Sequence, residues 1–289
     1  MPPVSCLQAI QAKYTTLTAA ERLTADLILQ DPEAVPKLSI AQFSMRSGAA
    51  QSAVVRCCKS LGYEGYADLK LALASEVARN RQLGFAPFLV PEDDPGDILD
   101  KVFAANVKTL HDTAEHLDRT ALLEMVDRLE GAKHVFLYGV GTSTLPVKEF
   151  AWRLTELGKP VSAFTDLVEM KISTMNAGPG DFAVGISHSG RTVATIQALE
   201  LAGKAGAGTG CLTSFPGSPI TEVCELPLTI CSDEIRYPME AVSSRIAHLS
   251  LIDAIIMALS SRRYEEAAAR ARRVRELTDT IRYEEKRRS

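Results

Sequence analysis

The sequence lacks the features that mark membrane and secreted proteins. No apolar run reaches the 18 or so residues that a membrane-spanning helix needs. The N-terminal stretch MPPVSCLQAIQAKY has no basic flank followed by a long apolar segment, which a secretory signal would require. We therefore predict a cytoplasmic protein with no membrane partner.

The sequence also lacks paired cysteines and biased composition. None of its six cysteines forms a C-x-x-C pair, so their spacing predicts neither a zinc knuckle nor a disulfide framework. We expect reduced thiols and no bound metal. Hydrophobic residues make up 46% and charged residues 24% of the chain, which excludes a disordered, collagen-like or coiled-coil protein. Its 289 residues are enough for two domains.

Charge is distributed unevenly along the chain. Residues 1–90 contain nine Lys/Arg and seven Asp/Glu, and residues 262–289 contain ten and six. The net charge of −4 therefore combines +2 and +4 at the two ends with −10 in the 171 residues between them. A neutral-to-basic end is compatible with an approach to nucleic acid, but only motifs can decide this.

The first 83 residues show apolar positions at helical spacing. Thr18 and Glu21 predict a capping box that starts a helix ending at Gln30. Residues 40–46 and 51–61 predict two further helices, with Ser39 as the cap of the first and a turn at Ser47 and Gly48. A helix over residues 66–82 completes this all-α region.

Two short helices joined by a glycine turn are typical of a helix-turn-helix. In residues 51–61, Val54, Cys58 and Leu61 share an apolar face, whereas Ser52, Arg56 and Lys59 share a polar face. The spacing alone fits equally well an ordinary three-helix bundle with a solvated charged face. If the helix enters DNA, its first residues lie near base edges and the cations reach phosphates or guanine. The candidate DNA-binding residues are Arg46, Gln51, Ser52, Arg56, Lys59 and Lys70.

The stretch LSIAQFSMRSGAAQSAVVRCCKSLGYEGYADLKLALA, residues 38–74, resembles the N-terminal domain of RpiR-type bacterial transcription regulators, above all in VVRxxKxLGYxGYxDLKxxL. The resemblance implies binding to operator DNA. The sequence departs from the family at Ala49 and Ala50, where a Val-Ser pair is usual, at Ala53 in place of Thr, and at Cys57 in place of Phe. Alanine at position 50 cannot cap the helix, which weakens the cap by about 1 kcal/mol.

A second region follows the proline-rich stretch 84–96, which we interpret as a linker. Residues 97–129 predict two helices, and five apolar segments then alternate with helices, which indicates an open, mainly parallel α/β sheet. The predicted domains are 1–83, a linker 84–96, 97–261, and a charged helix or tail over 262–289. The predicted strands are 135–139, 161–164, 182–186, 210–213 and 226–230, and a long helix covers 242–260.

Three loops rich in glycine and hydroxyl side chains follow these strands: GVGTS (139–143), SHSGRT (187–192) and TSFPGS (213–218). Glycines let the backbone approach an anion, and helix N-termini offer free amides and a favourable dipole. Ligands of open α/β sheets gather at the carboxyl ends of the strands. The three loops therefore predict one phosphate pocket, the alternative being ordinary capped turns.

Residues 129–259 resemble the SIS domain, a phosphosugar-binding module of sugar isomerases and RpiR-type regulators, in GVGTS, LGKPV, GDFAVGISHSGRT, CLTSFPGSPI and SSRIAHLSLIDAI. The resemblance implies a flavodoxin-like α/β fold. It also implies which residues bind the ligand. Gly190 would give backbone room, Ser244 and Arg245 would lie near the sugar, and the phosphate would be held by the hydroxyls of Ser143, Ser187, Ser189 and Thr192. Arg191 stands where Glu or Asn is common. The candidate ligand residues are Gly141, Ser143, Ser187, Ser189, Gly190, Thr192, Thr213, Ser244 and Arg245.

An isomerase would need a general base, and His188, Glu240 and His248 are the available candidates. A lone histidine is more often packed or exposed than catalytic, so we predict no catalytic residue, no cofactor and no turnover. The predicted function is a regulator of carbohydrate-metabolism genes that binds operator DNA as a homodimer or homotetramer and is controlled by a phosphorylated sugar. A phosphosugar isomerase with a helical assembly domain is the alternative, and a DNA-binding protein without a ligand is a third.

Overall fold

A computed structural model of the protein describes residues 5–82, 93–232 and 242–279. The chain divides into two compact units. The first contains Met1–His116 and Ile230–Ala247, and the second contains Leu117–Thr229 and His248–Ser289. The helical region predicted for the N-terminus lies in the first unit, and the predicted sheet lies in the second.

Five helices form the N-terminal part of the first unit: α1 (Cys6–Lys13), α2 (Ala19–Gln30), α3 (Ile40–Ser47), α4 (Gln51–Ser60) and α5 (Tyr66–Gln82). The structure confirms the predicted bounds of α2 and α5. It extends α3 by one residue, because the left-handed cap falls on the following glycine, and it ends α4 one residue early.

Local hydrogen bonds explain where these helices start. The Thr18 hydroxyl accepts from the Glu21 amide, and the Glu21 carboxylate accepts from the Thr18 amide at 2.9 Å, which confirms the predicted capping box. Ser39 and Gln42 make the same reciprocal pair at the start of α3. Each pair satisfies amides that a helix cannot satisfy internally.

The core of this bundle is apolar and continuous across α1 to α5. The rings of Phe43 and Tyr66 lie 5.2 Å apart, and the Tyr66 hydroxyl donates to the Leu38 carbonyl at 3.2 Å. Burial raises the pKa of the Cys57 and Cys58 thiols to about 12, so both remain protonated at neutral pH.

Two helices precede the sheet: α6 (Pro95–His116) in the first unit and α7 (Arg119–Gly131) in the second. The prediction that the linker reaches residue 96 is wrong at its end, because Pro95 and Gly96 form the first turn of α6. The Asp94 carboxylate sets this start by accepting from the Gly96 and Asp97 amides. Residues 84–92 of the predicted linker lie outside the described residues.

The second unit contains a five-stranded parallel sheet, as predicted, and its strands are β1 (Val135–Tyr138), β2 (Val161–Phe164), β3 (Phe182–Ile186), β4 (Gly208–Thr213) and β5 (Leu226–Thr229). They lie in the order β2-β1-β3-β4-β5. Val135–Tyr138, Phe182–Ile186 and most of β4 are buried, as expected for inner strands covered on both faces.

Four helices connect the strands: α8 (Thr144–Glu156), α9 (Leu167–Ser173), α10 (Val193–Lys204) and α11 (Pro219–Glu222). Because β2 lies on one side of β1 and β3 on the other, the chain reverses its direction of growth between β1 and β3. Such a reversal opens a crevice at the carboxyl ends of these two strands.

The last two helices are α12 (Val242–Arg262) and α13 (Tyr264–Asp279). Within the described ranges, Ser243–Arg262 is the one helix long and apolar enough to cross a membrane by length and composition. Its residues Leu251, Ile252 and Ile255 are buried inside the protein, as in a core helix that meets the same criteria. α13 has no buried residue, in agreement with the predicted solvated helix.

Candidate functional site

The turn between α3 and α4 depends on one glycine. Gly48 ends α3 with φ +72°, a left-handed conformation that other residues adopt at a cost. The Ser44 hydroxyl donates to the Ala49 carbonyl at 2.6 Å and closes the turn. Ala50, at the N-cap of α4, provides no side-chain acceptor, as the sequence predicted.

α4 has one buried face and one exposed face. Val54, Cys58 and the following Leu61 are buried, as the helical spacing predicted. Ala53 and Cys57 share the buried face and Ala49 is buried in the preceding turn, so three of the four positions that depart from the resembled family lie in the core. The exposed face carries the polar residues predicted to meet DNA: Gln51, Ser52, Arg56 and Lys59.

The candidate DNA-binding cations differ in the contacts that their charged groups make within the protein. Within the described ranges, Arg56 and Lys59 are exposed and neither forms an ion pair, although Arg56 lies near enough to Glu21 to help lower the pKa of that carboxyl group. Arg46 pairs with Asp31 at 3.1 Å, but both side chains are largely exposed, so this pair is weak. Lys70 donates to the Leu38 carbonyl at 2.8 Å, which holds its ammonium against the bundle.

In the second unit, the loop after β3 is folded by its own hydroxyls. The Ser187 Oγ lies 3.1 Å from the Thr192 Oγ1, and the Gly190 amide donates to the Ser187 carbonyl at 3.1 Å. Thr192 is the N-cap residue of α10, yet its side chain makes no cap hydrogen bond. The first amides of α10 are therefore left to another acceptor.

The loop after β4 packs directly on this loop. The Thr213 hydroxyl and the Ser214 amide both donate to the His188 carbonyl, at 3.2 and 3.1 Å. His188 Nδ1 lies 2.7 Å from the Ser214 Oγ, so this ring is held by the neighbouring loop. The structure thus brings Ser187, Thr192 and Thr213 together at adjacent strand ends.

Gly190 lies where no side chain fits. Its φ is +62°, and a Cβ there would overlap the Ser218 Oγ and would lie 3.0 Å from the Thr213 Oγ1. The Ser218 hydroxyl is buried and has no hydrogen-bond partner among the described residues. The sequence analysis missed Ser218. Its signal was the hydroxyl content of the third loop, but only the contact with Gly190 singles it out.

The loop after β1 lies beside the other two. A Cβ on Gly139 would come within 2.9 Å of the Ile186 carbonyl, which places this turn against the end of β3. Gly141, with φ +61°, begins a short 3₁₀ turn, and Ser143 is buried at its end. This turn follows β1 at the carboxyl end of the sheet, where the reversal between β1 and β3 opens a crevice.

The remaining predicted ligand and catalytic candidates have fewer contacts with the three loops. Ser189 is half-buried and accepts from the Arg191 amide at 3.3 Å, while the Arg191 side chain is exposed. Ser244 is buried and Arg245 half-buried on α12, in the first unit. Among the residues considered as a base, Glu240 lies outside the described residues and His248 is buried.

Comparison with known proteins matches both parts of the chain. Residues 4–80 match the helix-turn-helix domain of the rpiR family, and residues 128–258 match the SIS domain. The transcriptional regulator HexR of Pseudomonas aeruginosa is 30% identical over 278 residues, covering 96% of each chain.

Two solved structures extend this comparison. The Vibrio vulnificus NanR protein, complexed with ManNAc-6P, matches 97% of this chain and 100% of its own with a TM-score of 0.63 and 26% identity. The sugar isomerase domain of an RpiR transcription factor from Sphaerobacter thermophilus shares the fold of 61% of this chain, over 97% of its own, with a TM-score of 0.56 and 23% identity. The chain is therefore a member of the RpiR family of helix-turn-helix transcription regulators that carry a SIS domain.

Proposed function

We propose that this regulator binds operator DNA through α4 and that a phosphorylated sugar, bound at the loops after β1, β3 and β4, controls this binding. One observation carries the sugar-phosphate part of the proposal. Gly190 packs so closely against the side chains of Ser218 and Thr213 that no side chain fits there, and this contact joins two hydroxyl-rich loops at the start of α10. Hydroxyls and unpaired helix amides suit a phosphate dianion. The complex of the related NanR protein with ManNAc-6P supports the same ligand class.

The residues of the sugar-phosphate site have different roles in this proposal. The hydroxyls of Ser187, Ser189, Thr192 and Ser143 hold the phosphate, Gly141 and Gly190 give backbone room, and Thr213 supports the loop. Ser218 adds a donor that has no protein partner among the described residues. The assignment of Ser244 and Arg245 to the sugar rests on the family resemblance alone and stays a prediction.

The DNA-binding role rests on the exposed face of α4. Gln51 and Ser52 lie on the first turn of a recognition helix and contact base edges, whereas Arg56 and Lys59 contact phosphates or guanine. Arg46 and Lys70 are weaker contributors because each already has a partner in the bundle. Transcription regulators that read paired half-sites are symmetric, so we propose a homodimer or homotetramer in the cytoplasm.

We further propose that the SIS domain binds its sugar without converting it. His188 is held by Ser214 at 2.7 Å, which leaves this ring serving the loop structure. The proposed domain limits are 1–83 for the DNA-binding domain, 95–261 for the SIS domain with its leading helices, and 262–289 for the charged end.

The test is fluorescence anisotropy with labelled DNA from upstream of this gene and its neighbours, at stated salt, with and without a panel of sugar phosphates. We expect one DNA site to bind tightly and one sugar phosphate to change its affinity. Arg56→Ala should weaken DNA binding, whereas Lys148→Ala, which removes an exposed cation of α8, should not. Ser189→Ala should remove the sugar response and keep DNA binding.

Two results would contradict the proposal. A folded sample that prefers none of the DNA regions would remove the role of α4. The second is enzymatic turnover. If NMR of the protein mixed with each sugar phosphate of the panel shows steady interconversion of an aldose and a ketose phosphate, the protein is an isomerase instead.

A further inference from the structure

Three side chains of α6, two exposed and one buried, bring their donor atoms close together. His111 Nδ1 lies 3.6 Å from Asp112 Oδ1 and 3.8 Å from Glu115 Oε2. One nitrogen and two carboxylate oxygens lie within 4.8 Å of one another. All three residues are on one continuous helix of the first unit, so a single rigid element positions the cluster.

The Asp112 carboxylate is fixed in a way that leaves one oxygen unused. Its Oδ2 accepts from the buried Lys108 ammonium at 2.6 Å, one helical turn earlier. Its Oδ1 is buried and has no hydrogen-bond partner among the described residues. An unpaired oxygen of a buried carboxylate is costly, and this oxygen lies beside His111 Nδ1 in the cluster, where a cation would satisfy it.

The donor set decides which ligand fits. An imidazole nitrogen together with carboxylate oxygens suits a divalent transition metal such as zinc, which binds nitrogen at about 2.0–2.1 Å and oxygen at about 2.0–2.2 Å. Ligand atoms around such an ion are roughly 3.3 Å apart. The side chains of His111 and Glu115 are 59% and 55% exposed, so both can rotate. A small rotation would shorten the present separations of 3.6 and 3.8 Å to the spacing of metal ligands.

The fixed carboxylate supplies the orientation that metal sites need. A hydrogen bond to the outer oxygen of a ligating carboxylate holds the inner oxygen in place. Lys108 gives Asp112 this support from the buried side of the helix, while solvent reaches the cluster from the other side.

We propose that His111, Asp112 and Glu115 form a zinc-class metal site on α6, with a fourth position open to water. The sequence predicted no metal because the cysteine spacing offered none, and this cluster uses no cysteine. The site is independent of the proposed sugar-phosphate and DNA contacts.

The test is isothermal titration of the metal-stripped, full-length protein with zinc chloride, together with metal analysis after dialysis. We expect His111→Ala and Glu115→Gln each to remove one zinc equivalent relative to the unmodified chain. His116→Ala is the matched control, because His116 lies on the same helix and binds the Asp112 carbonyl rather than the cluster. This variant should keep the full stoichiometry.

A second readout separates metal loss from misfolding. Zinc should raise the melting temperature of the unmodified protein and of His116→Ala, because a ligand that binds only the folded state stabilises it. It should not raise that of His111→Ala, whose melting temperature without metal should match the unmodified chain. Equal zinc binding by the unmodified protein and His111→Ala would overturn the proposal, as would no zinc binding by either.

Discussion

The hydroxyls of Ser187 and Thr192 lie 3.1 Å apart, at the two ends of the loop that joins β3 to α10. This contact turns the Thr192 side chain away from the amides that an N-cap residue usually satisfies. Thr192 therefore leaves the first amides of α10 without a side-chain cap, beside the buried Ser187. A helix N-terminus in this condition favours an anion.

Gly190→Ala should abolish the response to sugar phosphate and lower the free energy of unfolding. The new Cβ would overlap Ser218, and a left-handed φ costs about 1–2 kcal/mol for an alanine. Gly217→Ala is the matched control, since it has φ +72° with no atom within 4 Å of the added Cβ. Denaturant unfolding of both variants separates backbone strain from overlap. An intact sugar response in Gly190→Ala would contradict the assignment of this loop.

Ser218→Ala should weaken sugar-phosphate binding without lowering the stability of the ligand-free protein. The Ser218 hydroxyl is buried and has no partner among the described residues, so its removal should leave the free energy of unfolding unchanged or raise it, because an unsatisfied buried hydroxyl is costly. If it donates to the bound phosphate, its loss should weaken sugar-phosphate binding by about 1.5–3 kcal/mol, or roughly 10- to 150-fold. Calorimetric titration with the sugar phosphate found in the anisotropy screen measures this difference. Unchanged affinity would place Ser218 outside the site.

Lys59→Ala should weaken binding to all DNA sequences by a similar factor and reduce the slope of log K against log salt by about 1, because one phosphate contact is lost. Lys70→Ala should change this slope less, since the Leu38 carbonyl already holds its ammonium. Anisotropy titrations at several salt concentrations give the slope. Equal slopes for Lys59→Ala and the unmodified protein would show that Lys59 does not contact DNA.

Much of the helical region could be predicted because its signals are local. The Thr18 and Glu21 pair, and the Gly48 turn, act within three or four residues of sequence. The contact of Gly190 with Ser218 joins two loops separated by 28 positions, and only the sheet order places them side by side. The same holds for Lys70, whose sequence position suggests a free cation although its partner is a carbonyl 32 residues away.

Glu21→Gln should lower stability at neutral pH and have less effect in acid. Hydrogen bonds from the Thr18 amide and then the Thr18 hydroxyl lower the pKa of Glu21 below its ordinary value of 4.5. A lowered folded-state pKa means that the charged carboxylate stabilises the fold above pH 4.5, and that this contribution is lost as the pH falls through the folded-state pKa.

We expect a difference of roughly 0.3–1 kcal/mol at pH 7, the usual effect of a negative charge at a helix N-terminus. Chemical denaturation of Glu21→Gln from pH 7 downward measures it, with Glu64→Gln, an exposed position, as the control. A difference that stays constant across this range would mean that the charge of Glu21 does not stabilise α2.

The missing side-chain acceptor at Ala50 has a consequence for how the protein meets DNA. A helix that starts without a cap opens its first turn more often, so its leading amides should exchange hydrogen faster than those of α2 or α3. A DNA phosphate at that position would supply the absent acceptor. Operator binding would then cap α4, and part of the binding free energy would be spent on ordering the first turn of this helix.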